Sequence, residues 1–172
     1  MINKNYLLDS KQMANFASDG FLRFDELVPD ELNKAAHKAM EDRTIEGGRA
    51  GTAFSQVWSQ DSPMRRIFNM SEIQGIIHSM VGPKPLYDHQ AIHVVNAGNN
   101  SGQIWHGDAI IDIRMHFDIQ FFYFAHDTPR EMGGTMILPG SHYRRICETD
   151  IARYQNFLGQ LPSVCKAGTI IV

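Results

Sequence analysis

Apolar residues recur at helical spacing through the first half of the chain and at alternating spacing in parts of the second, so the pattern predicts helices first and strands after. From 9 to 20, Met13, Phe16 and Ala17 share one face, Asp9 is placed to cap with Gln12 three positions on, and Gly20 closes the helix. Phe21, Leu22 and Phe24 predict a short strand. Pro29-Asp30-Glu31 opens a second helix whose stripe is Leu32, Ala35, Ala36, Ala39 and Met40, with His37 beside it as a surface residue. Residues 43 to 60, rich in Gly, Thr, Ser and Gln, have no period and predict a loop. Its Gly47-Gly48-Arg49-Ala50-Gly51 run lacks the Lys-Ser/Thr and the preceding strand that a phosphate-cradling P-loop needs. Ser62-Pro63 predicts an N-cap and first helical position for a short helix through Phe68. Ser71 with Gln74 reads as a capping box for the next helix, with Ile73, Ile76, Ile77 and Met80 on one side, His78 turned to solvent and Gly82 at the end.

After Pro83 and Pro85 the pattern changes. Leu86 to Val95 alternates imperfectly, 96 to 102 is turn-rich, and Gln103 to His106 is extended again. His116 to His126 is the clearest strand: Phe117, Ile119, Phe121 and Tyr123 line one face and His116, Asp118, Gln120, Phe122 and Phe124 the other. Apolar on both faces toward its end, it is expected at the centre of a sheet. Thr135 to Leu138 predicts a short strand, Pro139-Gly140 a turn, and Gly168 to Val172 another strand. A mostly helical part over 1–82 and many short strands over 83–172 predict a mainly β domain, a barrel or jelly roll with N-terminal helices packed on it.

Composition narrows the function classes. With 172 residues, 43% hydrophobic and 20% charged, the chain is expected to form a single domain with its own core. A net charge of −3 provides no basic surplus for counterion release, so neither nucleic acid nor an anionic membrane is an expected partner. The Met1–Tyr6 run has no apolar core of signal-peptide length and no stretch approaches the roughly 20 apolar residues of a membrane span, so a cytoplasmic protein is expected. Cys147 and Cys165 make no framework and are read as reduced thiols.

The candidate chemistry sits in Gln103-Ile104-Trp105-His106-Gly107-Asp108. Two positions apart in an extended segment, His106 and Asp108 face the same way and offer two of the three ligands of a 2-His-1-carboxylate triad, which holds Fe(II) and leaves positions open. His116 and Asp118 form a second His-x-Asp pair, inside a strand and without the preceding Trp. Trp105 serves equally as core or as pocket wall, and His89, His93 and His126 read as packed or exposed polar residues.

Leu8 to Leu27 with Asp19-Gly20-Phe21-Leu22, Trp105-His106-Gly107-Asp108, Phe122 to Asp127, Gly133-Gly134-Thr135 and Leu138-Pro139-Gly140-Ser141-His142, taken together, resemble the phytanoyl-CoA dioxygenase family of Fe(II)- and 2-oxoglutarate-dependent oxygenases. The resemblance implies a double-stranded β-helix, a cupin-like jelly roll, with iron at its mouth. It implies His106 and Asp108 as metal ligands and catalytic residues, 2-oxoglutarate and dioxygen as co-substrates, and hydroxylation of a C–H bond in a small organic or acyl substrate. A carboxylate at 108 points to hydroxylation rather than halogenation. Gln90, Gln120 and Phe122 are the implied lining near 2-oxoglutarate. The distal histidine and the 2-oxoglutarate arginine belong after the strand that Ala167-Gly168-Thr169-Ile170-Ile171-Val172 resembles, so the jelly roll is expected to lack its C-terminal strands within these residues. His142 is structural in that family. Two other readings stand beside this one: a truncated or inactive jelly-roll module that binds a ligand without catalysis, and a zinc hydrolase using His106, Asp108 and His142. Arg144, Arg145 and Arg153 would have to contribute to any basic groove for a CoA substrate, and otherwise form a solvated face.

Overall fold

The computed structural model describes residues 3–45, 47, 52, 54–87, 90–94, 98, 102–107, 118–143 and 156–172. Among the described residues there are five α-helices, α1 Ser10–Asp19, α2 Asp30–Glu41, α3 Phe54–Val57, α4 Pro63–Phe68 and α5 Ser71–Val81, with the first strand falling between α1 and α2. The strands are β1 Arg23–Phe24, β2 Phe122–Phe124, β3 Met136–Ile137, β4 Leu161–Pro162 and β5 Thr169–Ile171.

Local signals form as the sequence dictates where a side chain satisfies a helix end. Asp9 accepts from the Gln12 N–H at 2.7 Å while the Gln12 side chain accepts from the Asp9 N–H at 2.9 Å, a closed capping box on α1. Gly20 ends that helix at φ +80°, and the His142 ring lies where its Cβ would be. Ser62 caps α4 through the Arg65 N–H at 3.1 Å, with Pro63 at the first helical position. At α5 the expected box does not form: Met70 is the N-cap, and Gln74 instead donates to the Phe68 carbonyl at 2.8 Å. The physical reason is competition, because α4 ends at Phe68 and leaves an orphan carbonyl within reach of the Gln74 amide. Gly82 ends α5 as expected, and His78 is half-buried rather than fully in solvent. The loop predicted over 43 to 60 contains the single turn α3, too short to show a helical period.

The core is helix on sheet. Ile67 from α4, Ile73, Ile76 and Ile77 from α5, and Ala36 from α2 cluster with Val28, Ile170 and Val172. Among the described residues, β5 is the middle strand of an antiparallel sheet ordered β1-β5-β2, with Ile170 opposite both Phe24 and Tyr123 and Ile171 opposite both Arg23 and Phe122. Every residue from Thr169 to Val172 is buried, as expected of a strand covered on both faces. A second antiparallel pair joins β3 to β4, Met136 facing Pro162 and Ile137 facing Leu161.

This architecture corrects the jelly roll. Among the described residues, helix accounts for 38% and strand for 11%, in small antiparallel sheets of three and two strands, a mixed α and β structure rather than a mainly β double-stranded helix. Residues 86–87 and 90–94 form no strand beyond a single bridge at Gln90, and 102–107 form none. Leu86 is 99% exposed and Ile104 53% exposed, so neither segment gains the burial that would hold it in a ladder. Among the described residues, the strand expected over His116 to His126 is present as β2, which stands at the edge of the three-stranded sheet rather than its centre; His116 and Phe117 lie outside the described residues. Its side-chain alternation is nevertheless present: Ile119, Phe121 and Tyr123 pack on the core while Asp118, Gln120 and Phe122 are exposed. The pattern fixes which side chains share a face; it does not supply a hydrogen-bonding partner.

Candidate metal site

His106 lies on an exposed segment, 102–107, positioned by its neighbour: the Trp105 ring meets Phe157 edge-on, with ring centroids 5.5 Å apart at 87°. Phe157 is itself held in the turn before β4, where its N–H donates to the Gln160 side chain at 2.9 Å and its carbonyl accepts from the Gln160 N–H at 3.2 Å. Trp105 is half-buried and so acts as the loop's anchor.

The His106 Nδ1 is 2.7 Å from the Ile104 carbonyl oxygen. A carbonyl only accepts, so Nδ1 carries the proton and a neutral ring has its lone pair on Nε2. That is the tautomer with which a histidine binds a metal, its other ring nitrogen tied to a main-chain carbonyl. His106 therefore fits the role of ligand in its chemistry. Asp108, its expected partner, lies outside the described residues, as do His89, His116, Cys147 and Arg144, Arg145 and Arg153. Among the described residues, no group of three or more His, Cys, Asp or Glu side chains is arranged to hold a metal ion.

The three residues expected near 2-oxoglutarate occupy different settings. Gln90 is 7% exposed, and both atoms of its amide are buried without a hydrogen-bond partner among the described residues. A buried amide left unmet costs about 1–3 kcal/mol. Gln120 and Phe122 lie on the exposed face of 118–124. His142 is a helix-end residue: its Nε2 is 3.1 Å from the Ala17 carbonyl, which the Tyr143 hydroxyl also reaches. That use of His142 ties its Nε2 to an α1 carbonyl. His93 and His126 are exposed.

Sequence reasoning missed two arrangements. The first is a cleft of about 490 Å³ lined by Arg23, Asp25, Glu26, Asp127, Cys165 and Lys166 among others. Its cations are already neutralised: Arg23 pairs with Asp25 at 2.6 Å and Lys166 with Asp127 at 2.6 Å. The Lys166 hydrogen bond, followed by the Ala167 N–H, holds the Asp127 carboxyl below the usual range; Asp127 in turn raises the Lys166 ammonium, and burial pushes the Cys165 thiol up. The second is Asn33, the polar residue within the α2 stripe. It is buried, its amide donates to the Ala125 carbonyl at 2.9 Å, and its oxygen accepts from the Tyr123 hydroxyl at 2.5 Å. Burial raises the Tyr123 phenol above its ordinary range. An asparagine inside an apolar helical stripe was the available signal.

No family model, curated protein or solved structure matches the chain. Among the described residues, no helix is long and apolar enough to cross a membrane.

Proposed function

We propose that the protein is an Fe(II)- and 2-oxoglutarate-dependent oxygenase that hydroxylates a C–H bond of a small organic or acyl substrate, acting in the cytoplasm. The observation that carries this reading is the His106 ring, whose Nδ1 bond to the Ile104 carbonyl leaves Nε2 in the metal-binding tautomer. The jelly roll plays no part in the support. His106 and Asp108 would hold the metal, and Gln90, with its unmet buried amide, is the residue best suited to a 2-oxoglutarate oxygen. When bound, Fe(II) with dioxygen and 2-oxoglutarate supplies the oxidation: one oxygen atom enters the substrate C–H bond as hydroxyl, the other ends in succinate, and carbon dioxide leaves. Trp105, fixed against Phe157, keeps the histidine's backbone in place, and Ile104 keeps its tautomer.

Anaerobic addition of Fe(II) and then 2-oxoglutarate tests the reading. Free imidazole is included to occupy the position of the third ligand, which the resemblance places after residue 172. The expected result is a weak visible charge-transfer absorption that requires iron, 2-oxoglutarate and protein together. Absence of that band at saturating 2-oxoglutarate overturns the proposal.

A further inference from the structure

Asn33 does more than fill a gap in the core. Bonded to Tyr123 and to the Ala125 carbonyl, it pins the chain that leaves β2 onto α2. One helical turn beyond Asn33, on the same face of α2, is His37; one residue beyond Ala125 is His126. The pinning brings two histidines 89 positions apart in the chain into ring contact, with centroids 5.6 Å apart and planes tilted by 57°.

From this geometry we infer that His37 and His126 form a two-imidazole site for borderline divalent transition metals, nickel, copper and zinc above all. Imidazole nitrogens sit about 2.0–2.1 Å from such a metal, which puts the metal about 3.2 Å from each ring centre and two rings sharing it about 5.2 Å apart at the tetrahedral angle and about 4.5 Å apart at the right angle of tetragonal nickel or copper. The observed 5.6 Å is nearest the tetrahedral value, and a side-chain rotation of these solvent-accessible rings closes the remainder. The His126 Nδ1 is 2.8 Å from the Asp127 carbonyl oxygen, so it is the donor and the lone pair is on Nε2, the ligating form. The His37 Nε2 is 3.8 Å from a Glu41 carboxylate oxygen one turn further along α2. Glu41 places negative charge beside the bound cation, and water fills the remaining positions. His126 is exposed and His37 partly so, which leaves the metal a path from solvent. Soft-to-borderline metals suit imidazole, with affinity rising toward copper, whereas magnesium and calcium prefer oxygen. The site uses neither His106 nor Asp108 and stands independently of the oxygenase reading.

Calorimetric titration with Ni(II) of the whole chain carrying His106→Ala, which removes the proposed iron site, tests it, with Mg(II) as the control metal. That protein is expected to bind one equivalent of Ni(II) at this site and no Mg(II) there. His37→Ala and His126→Ala are each expected to weaken that binding by at least about tenfold, the loss of roughly 1.4 kcal/mol or more. His93→Ala, an exposed histidine outside both proposed sites, is expected to leave it unchanged. His126→Gln keeps the residue polar and of similar size on an exposed position, so the same loss in that variant cannot come from unfolding. Nickel affinity that survives either histidine replacement, or that falls only in His93→Ala, overturns the inference.

Discussion

His106→Ala is expected to weaken Fe(II) binding by at least about 100-fold and to abolish the absorption that 2-oxoglutarate induces. The scale follows from what lesser changes do: removing a group that merely orients a metal ligand already costs roughly 10–100-fold in affinity. On the proposed reading the ligand itself goes, and Asp108 would be left to hold the ion by one carboxylate. His142→Ala serves as the contrast. Its ring is bonded to the Ala17 carbonyl at the end of α1, so its loss is expected to lower stability while iron affinity stays as it was. Side-by-side iron titrations of the two variants, followed by the visible band, check both statements. Equal effects from the two histidines would assign the metal chemistry elsewhere.

The second large effect concerns the fold. Asn33→Ala removes at once the partner of the Ala125 carbonyl and that of the Tyr123 hydroxyl. Each buried polar group left unmet costs about 1–3 kcal/mol, so the variant is expected to lose about 2–5 kcal/mol in urea unfolding. Tyr123→Phe removes only its own hydroxyl, leaves Asn33 its bond to Ala125, and is expected to cost about 1 kcal/mol. The two changes share a hydrogen bond, so the double variant should be less destabilised than the sum of the singles. Additive losses would show that Asn33 and Tyr123 act independently and that the network holds no strand to α2.

Much of the helical half could be read from the residues because its signals are local. Asp9 with Gln12, Ser62 with Pro63, and Gly20 and Gly82 each act within a turn of themselves, and each is found where its side chain predicts. Gln74 shows where that logic stops, since a carbonyl from the preceding helix competed for its amide. Strand pairing is not a local property. The alternation over 118–124 correctly separates Ile119 and Phe121 from Gln120 and Phe122, yet it could not show that β5 rather than β2 takes the middle of the sheet. Thr169 to Val172 did carry that signal, as an apolar run with no polar face, and the longer 116–126 stretch outweighed it.

The candidate chemistry divides the same way. A His-x-Asp pair is legible in sequence, but the proton position on His106 depends on a carbonyl two residues back and on a loop held by Phe157. The meeting of His37 with His126 depends on an asparagine reaching across from α2, which no spacing within either segment reveals.

The central claim is that His106 holds iron, and paramagnetic NMR measures it directly. In His37→Ala protein, which removes the competing two-histidine site, Fe(II) is added without oxygen and then 2-oxoglutarate. The account predicts that the His106 ring signals broaden first, that the amides around Asp108 follow, and that 2-oxoglutarate strengthens the effect while His142 stays sharp. His106 signals that remain unchanged while another histidine broadens would contradict it.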